Sequence, residues 1–428
     1  MGLDGGRSVF GGVRLAEFVA ARPRGTEDVL PEQAARWRRL EGAARALAGR
    51  YGFGEVRTPV FEHSDLVHRI GASTDVVQKE TYDFVDRGGR RLTLRPEGTA
   101  PVVRACLQGG LFGRGLPVKV YYVGLSAFRY ERPEAGRLRQ HHQFGCETFG
   151  ADGPAADAEL VALCGAFLAE AGVRGAVAHI NSIGCRSCRP GYRVALQDYY
   201  RERLPTLCGD CQRRFQNNPL RLLDCKVDRA AAEAAPPASA HLCAACAEHH
   251  QGLRLLLAVA GVAFVDDPLL VRGFDYYSRT VFEFIHTGLG SQSGLGGGGR
   301  YDDLVADLGG PSLPAAGFGV GLERLLLALE AEGGASAGMA GPELFVCGEQ
   351  VEAVFALCQQ ARATGLRAEF DPLGRSLKAQ FRHADRLGAR FVAILAGGVA
   401  TLRDMRARSQ TEVPVGEVVA RVRAVAGL

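Results

Sequence analysis

The stretch LVRGFDYYSRTVFEFI, residues 270–285, places Arg272, Asp275, Tyr276 and Tyr277 directly before a run that reads as a strand. Polar groups crowded beside apolar core are costly unless something uses them. Two other stretches carry groups of the same kind. In LTLRPEGTAPVVRA, residues 92–105, a strand ends in Arg95, Pro96, Glu97, Gly98 and Thr99, and an apolar helix follows. Read plainly, Thr99 caps that helix and Glu97 is solvated. Read for chemistry, the glycine lets backbone approach a ligand and Glu97 receives a cationic amine. In AFRYERPEAGRLRQHHQFGCETFG, residues 127–150, Arg129, Arg132, Arg137 and Arg139 surround a Pro/Gly loop, with Gln143 and Glu147 on the returning strand. Alternation with Phe128 and Phe144 puts Arg129, Gln143 and Glu147 on one face of a paired strand. A planar guanidinium fork there binds phosphate through two parallel hydrogen bonds.

A fourth stretch is GLGGGGRYDDLVADLGG, followed by PAAGFGVGLERLLLAL. GLGGGG matches the G-x-G-x-x-G dinucleotide fingerprint in form only. No strand leads directly into it, and Arg300, Tyr301 and Asp302 follow where a helix should begin. A glycine loop lying against a ligand fits better. GFGVGLERLLLAL reads as a small-residue strand running into a helix with Glu323 and Arg324 in its first turns; taken alone, Arg324 reads equally as a surface cation.

The cysteines cluster. Seven of the twelve fall between residues 185 and 246, as CRSC, CGDC and CAAC with Cys225 single. Two Cys-x2-Cys pairs make a tetrahedral zinc pattern. Joining the outer pairs, Cys185, Cys188, Cys243 and Cys246, around one structural zinc would staple the ends of this segment. The middle pair with Cys225 is the competing site, and reduced thiols are the alternative to any metal.

The elements that must position these groups alternate in kind. PEQAARWRRLEGAARALAGR, residues 31–50, repeats apolar positions at helical spacing with proline in its first turn. VRTPVFEHSDL reads as a strand entering a short helix, LPVKVYYVG and TVFEFI as strands, and GPAADAELVALCGAFLAEAG as a helix ended by glycine. The pattern predicts an α+β core of mostly antiparallel sheet. Expected boundaries are an extension over 1–20, a core in two parts over 21–184 and 261–333, an inserted helical subdomain over 185–260, a linker over 334–341, and an α/β domain with a parallel sheet over 342–428. Hydrophobic residues at 47% and charged residues at 23% of 428 describe a globular chain, and 51 Lys+Arg against 47 Asp+Glu leaves +4, which by itself demands no nucleic acid. No stretch approaches the roughly 18 apolar residues of a membrane span. The start has no cationic region followed by an apolar core, so a cytoplasmic location is expected.

RPRGTEDVLP, LRPEGTAPVVRA, FRYERPEAGRLRQHHQFGCE, LVRGFDYYSRT, GGGRYDDL and GFGVGLERL together resemble the histidyl-tRNA synthetases, which are class II aminoacyl-tRNA synthetases, and occur in the same order. The resemblance runs from about Arg22 to the C-terminus and includes DPLGRSLKAQFRHADRLGARFVAIL of the anticodon-binding domain. It implies an antiparallel sheet flanked by helices, a homodimer, ATP with Mg²⁺, L-histidine and tRNA(His) as substrates, and a histidyl-adenylate intermediate. It assigns the α-amino group to Glu97, Thr99 and Gln143, and the imidazole to Glu147 and Tyr277, with Tyr276 and Tyr301 lining the pocket. It assigns the α-phosphate to Arg129 and Arg272, the γ-phosphate to Arg324, and the adenine to Glu131. The chain departs from the family where Gly-Pro-Met-Phe-Arg becomes GLSAFR, one residue longer before Arg129; Glu134 replaces a glutamine and His141 a phenylalanine. The regulatory paralogue of ATP phosphoribosyltransferase, which shares the fold, typically lacks the C-terminal domain and loses arginines that this chain keeps. Prolyl and threonyl synthetases are disfavoured by the tyrosine-rich RGFDYYSRT.

Overall fold

The structure is a computed structural model that describes residues 21–70, 77, 79–286, 288, 293–333 and 341–427. The expected extension over 1–20 and all of the expected linker except Gly341 lie outside the described residues. The chain divides into two compact units between positions 335 and 336.

The first unit is built on an eight-stranded sheet. Its strand order is Gly54–Glu55, Val118–Phe128, Gln140–Phe149, Ala315–Gly321, Gly294–Arg300, Ser278–His286, Ala176–Ser182 and Phe264–Asp266. The inner pairings are antiparallel, and the two edge strands pair in parallel. One face packs under helices. In the helix Pro31–Arg50 the apolar repeat buries Leu40, Ala44, Leu47 and Ala48, and the helices Pro154–Ala171 and Leu322–Ala331 add Leu160, Phe167, Leu322 and Leu325. Against them the sheet turns Phe144, Cys146, Phe318 and Val320. Because side chains alternate along a strand, Gln143, Gly145 and Glu147 must point to the other face. Gly172, with φ of 101°, ends the helix Pro154–Ala171 as the sequence pattern predicts.

GLGGGG is not a loop. Gly294–Arg300 forms a central strand, pairing with Ser278–His286 and Ala315–Gly321. Its lack of side chains hid the strand pattern. The reason for the glycines lies in the neighbouring strands: a Cβ on Gly297, Gly298 or Gly299 would run into the carbonyl oxygen of Phe282, Gly317 or Thr280, and one on Gly317 would run into the Glu147 carboxylate.

The extra residue before Arg129 is absorbed locally. Tyr122 pairs with Gly145 and Leu125 with Gln143, so three steps on one strand oppose two on the other: a β-bulge with Gly124 at φ 65°. Beyond it the ladder continues to Phe128 opposite Gln140, which fixes Arg129 at the strand end.

Between Cys185 and Ala260 the chain runs through the helices Arg189–Arg201, Gly209–Asn217, Arg229–Glu233 and Ala244–Val259 with short 3₁₀ turns between them. Tyr192, Leu196, Phe215, Leu220 and Leu222 of this segment share a buried cluster with Val271, Tyr277 and Tyr301. The C-terminal unit differs from its expectation: Leu344–Cys347, Ala368–Phe370 and Phe391–Ala396 pair in parallel, but Val399–Asp404 and Ser409–Pro414 extend the sheet antiparallel, making it mixed. These two strands are polar on their solvent faces and joined by a turn with Arg408 at φ 53°, so no apolar run marked them.

Candidate active site

Two adjoining cavities open on the glycine-rich face of the sheet. The smaller, about 140 Å³, is lined by Glu97, Thr99, Tyr122, Arg129, Gln143, Arg272, Phe274, Tyr276 and Tyr277. The larger, about 270 Å³, is lined among others by Arg129, Glu131, Arg137, His141, Gln143, Arg272, Glu283 and Arg324. Arg129, Gln143 and Arg272 belong to both. A third cavity of about 500 Å³, between residues 27–37 and the loop 133–142, has its Arg36 paired with Glu330 and gathers no comparable set of arginines.

The plain reading of residues 92–105 fails in detail. Glu97 is buried, and its carboxylate accepts from the N–H groups of Thr99 at 2.6 Å and Ala100 at 2.8 Å, satisfying the start of the helix Thr99–Gln108. Burial raises its pKa, while those N–H groups and the Arg129 charge pull it back. Thr99 does not cap; its hydroxyl donates to Glu147 at 2.8 Å. Arg95 holds the turn by donating to the carbonyls of Thr58, Pro59 and Ser126. Gln143 leaves its buried Oε1 without a hydrogen-bond partner in the cavity, an acceptor available to an amine.

Glu147 and Tyr301 lie one layer deeper than the resemblance suggests. Neither forms the cavity wall, and Glu147 is 0% exposed. Tyr301 and Thr99 donate to its carboxylate, with the Tyr122 hydroxyl at 3.5 Å. Burial dominates and pushes Glu147 up to about 8. Tyr276 packs against Tyr277 at 4.8 Å and Tyr301 at 5.7 Å, and stacks on Phe274. Arg300, the residue before Tyr301, is 0% exposed and donates to Asp157, Asp302 and the carbonyls of Ala151 and Gly153, anchoring the end of the strand that leads into Tyr301.

At the junction Arg129 donates to the Pro96 carbonyl and lies over the Phe274 ring. Arg272 pairs with Glu283 at 3.0 Å; burial opposes its charge, and Glu283 with Tyr277 more than restores it. In the larger cavity Glu131 pairs with Arg137 at 2.7 Å, and burial lowers the Arg324 pKa. Arg139 instead stacks on Tyr130. His141 is pushed down to about 3 by burial and by Arg129, so a neutral ring stands where the resemblance expects phenylalanine.

Sequence reading missed Tyr122, Phe274 and Glu283. A glutamate inside the apolar run TVFEFI was the available signal for the last; nothing in KVYYVG distinguishes Tyr122 from its buried neighbour Tyr121.

The family profile described as histidyl-tRNA synthetase matches residues 25–185 and 196–325, and that of the anticodon binding domain matches residues 342–425. The histidine–tRNA ligase of Moorella thermoacetica is 50% identical over 413 residues, covering 94% of this chain and 97% of that one. The chain belongs to the histidyl-tRNA synthetase family. Another member, the histidine–tRNA ligase of Desulforudis audaxviator, is 49% identical over 416 residues, covering 95% and 99% of the two chains. The apo histidyl-tRNA synthetase of S. aureus superposes with a TM-score of 0.80 at 33% identity, covering 95% and 100%. The fold is thus the class II histidyl-tRNA synthetase fold, a mixed sheet flanked by helices with a C-terminal anticodon-binding domain. The family's activity is histidine–tRNA ligation, and class II synthetases use ATP with Mg²⁺. Among the described residues no helix is long and apolar enough to cross a membrane.

The four outer cysteines form a separate group. One ligand atom from each of Cys185, Cys188, Cys243 and Cys246 lies within 4.8 Å of the others. Sγ of Cys185 is 3.8 Å from that of Cys188 and 3.9 Å from that of Cys243, and Cys188 is 3.8 Å from Cys246. A tetrahedron with Zn–S of about 2.3 Å has edges of about 3.8 Å. Burial alone would raise Cys185, but the N–H groups of Cys188 and Ser187 and the neighbouring thiols bring it down to about 6.

Proposed function

We propose that the smaller cavity binds L-histidine, the larger binds ATP, and the shared arginines carry the reaction between them. The observation that carries this reading is that Arg129, Gln143 and Arg272 line both cavities. Histidine's carboxylate attacks the α-phosphorus, pyrophosphate leaves, and histidyl-adenylate forms; the adenylate then acylates the 3′ end of tRNA(His). Charge builds on the α-phosphoryl oxygens during attack, and Arg129 and Arg272, already in place, stabilise it. No protein nucleophile is needed. Glu97, Thr99 and Gln143 hold the α-amino group, for which a buried carboxylate and an unpaired amide oxygen are suited. Tyr277 and the carboxyl of Glu147 behind it recognise the ring, once the ring displaces part of the tyrosine cluster over Glu147; Tyr276 and Tyr301 shape its pocket. Arg324 takes the γ-phosphate and Glu131 faces the adenine. Mg²⁺ would enter with the nucleotide, since the carboxylates of the larger cavity, Glu131, Glu283 and Glu323, are already paired with Arg137, Arg272 and His142.

Residues 21–184 and 261–333 serve as the catalytic core, 185–260 as an insertion, 334–341 as a linker after it and 342–428 as the anticodon reader, with 1–20 an extension. Two such chains work as a homodimer in the cytoplasm, where the twelve cysteines stay reduced; none of the twelve is in a disulfide here. Histidine-dependent exchange of pyrophosphate into ATP tests the reading. Exchange with histidine and none with proline or threonine is expected, and no exchange with histidine would refute it.

Cys185, Cys188, Cys243 and Cys246 hold one structural zinc, four thiolates leaving no open coordination position. Replacing Cys185 and Cys243 together with serine is expected to remove one zinc, speed hydrogen exchange across residues 185–246 and leave adenylate formation largely intact. A zinc content near zero in protein purified without chelators, with all four thiols titrating as free, counts against it.

A further inference from the structure

Inside the segment bracketed by the outer cysteines, the fold assembles a second group. One ligand atom from each of Cys208, Cys211, Cys225 and Asp228 lies within 4.8 Å of the others. We propose that these four residues bind a second zinc ion, and that this ion pins the turn Asn218–Cys225 against the loop carrying Arg272. The pinning half of the proposal rests on the histidine-activating reading of that loop; the metal half does not.

The sequence spacing becomes intelligible once Asp228 is included. Cys208-x2-Cys211 is matched by Cys225-x2-Asp228, so the cysteine that looked single is the first member of a pair whose second member is an oxygen ligand. Zinc accepts a carboxylate beside thiolates. Sγ of Cys208 and Cys225 are 3.7 Å apart, and Sγ of Cys225 is 3.6 Å from Oδ2 of Asp228. Tetrahedral zinc, with Zn–S of about 2.3 Å and Zn–O of about 2.1 Å, places sulfur–sulfur edges at about 3.8 Å and sulfur–oxygen edges at about 3.6 Å. Four ligand atoms this close enclose one ion and complete its coordination.

Two backbone N–H groups point at the ligand atoms. The N–H of Asp228 donates to Sγ of Cys225 at 3.3 Å, and the N–H of Cys208 donates to Oδ2 of Asp228 at 3.0 Å. Around them Leu207, Phe215, Leu220, Leu222 and Leu223 form an apolar shell in which Cys211 and Cys225 are buried. Cys208 and Asp228 lie at its half-exposed edge, where a cation can reach the four ligand atoms.

The link to the loop is direct. Asp224, next to the ligand Cys225, pairs with Arg221 at 2.7 Å. The Arg221 guanidinium lies 3.4 Å from where a Cβ on Gly273 would stand, one residue from Arg272. The Asn218 side chain donates to Asp275. Leu220, Leu222 and Cys225 pack in the same buried cluster as Val271 and Tyr277.

Metal analysis of the full chain, produced with zinc and purified without chelators, is expected to give two zinc ions per chain. Joint replacement of Cys185 and Cys243 should leave one. Asp228→Ala should also leave one, and should raise the KM for histidine in pyrophosphate exchange by at least about fivefold. Asp228→Cys, which completes a four-sulfur site, should restore both zinc and KM. A second measurement needs no variant: the wild-type chain, stripped of metal and titrated with Co²⁺, should develop thiolate-to-cobalt absorption up to two equivalents. Saturation at one equivalent, or a wild type holding one zinc that disappears with Cys185 and Cys243, overturns the site. A second zinc lost without change in KM overturns the pinning. Neither count depends on which amino acid the enzyme activates.

Discussion

Arg272→Ala is expected to lower the rate of histidyl-adenylate formation by about 10²–10³-fold, the scale on which removal of one preorganised donor at a developing oxyanion is felt. The KM for histidine should move much less. Arg272 stands where the two cavities join, and Glu283 at 3.0 Å holds its guanidinium there before any substrate arrives. Orientation is therefore settled in the ligand-free protein, and the arginine need not reorganise as charge develops. An interaction that strengthens only as the α-phosphorus is attacked appears in kcat, whereas one made equally with bound substrate appears in KM. Arg272→Lys should recover little, because a point charge cannot replace a planar fork that meets Glu283 and a phosphoryl oxygen together. Single-turnover adenylation with saturating histidine reads the effect. A rate within a few-fold of wild type removes Arg272 from the chemistry.

How far the site could be read from the sequence followed from the kind of regularity each part carried. Alternation with Phe128 and Phe144 placed Gln143 and Glu147 on one face, and in the structure Phe144 and Cys146 between them pack with the helices on the other. The helix Leu322–Ala331 announced itself through its leucines. The strand Gly294–Arg300 could not be seen, since a run of glycines has no side-chain period; its identity rests on the two strands that hold it. Depth was equally invisible. Nothing in GCETFG says that Glu147 sits beneath Thr99, Tyr122 and Tyr301 and not on the cavity wall, because burial is set by segments distant in sequence. The same limit applied to Asp228: an aspartate three residues after a cysteine has many ordinary uses, and only the folded turn brings it to Cys208 and Cys211.

Selectivity for the ring is the second large effect expected, and in the proposed reading it rests on the buried Glu147. Phenylalanine or glutamine should support pyrophosphate exchange at least about 10⁴-fold less efficiently than histidine, because a buried site built to hydrogen-bond both ring nitrogens leaves its own polar groups unpaired with any side chain that lacks them. Glu147 is the group with most to lose. With its pKa pushed to about 8 by burial, it holds a proton through the neutral range in the ligand-free protein. A carboxylic acid donates as well as accepts, so it can serve a neutral imidazole nitrogen directly. The sign for stability follows: the folded pKa lies above the ordinary carboxyl value of 4.5, so the contribution of Glu147 is fully present below that value and is lost as pH rises through about 8. Glu147→Gln, which cannot ionise, should flatten that part of the pH–stability curve. It should also raise the KM for histidine while leaving the adenylation rate at saturation less affected, since it keeps a hydrogen-bonding group in place but not the acid. Comparable exchange with phenylalanine or glutamine in the wild-type enzyme, or an unchanged KM in Glu147→Gln, would show that the ring is recognised elsewhere.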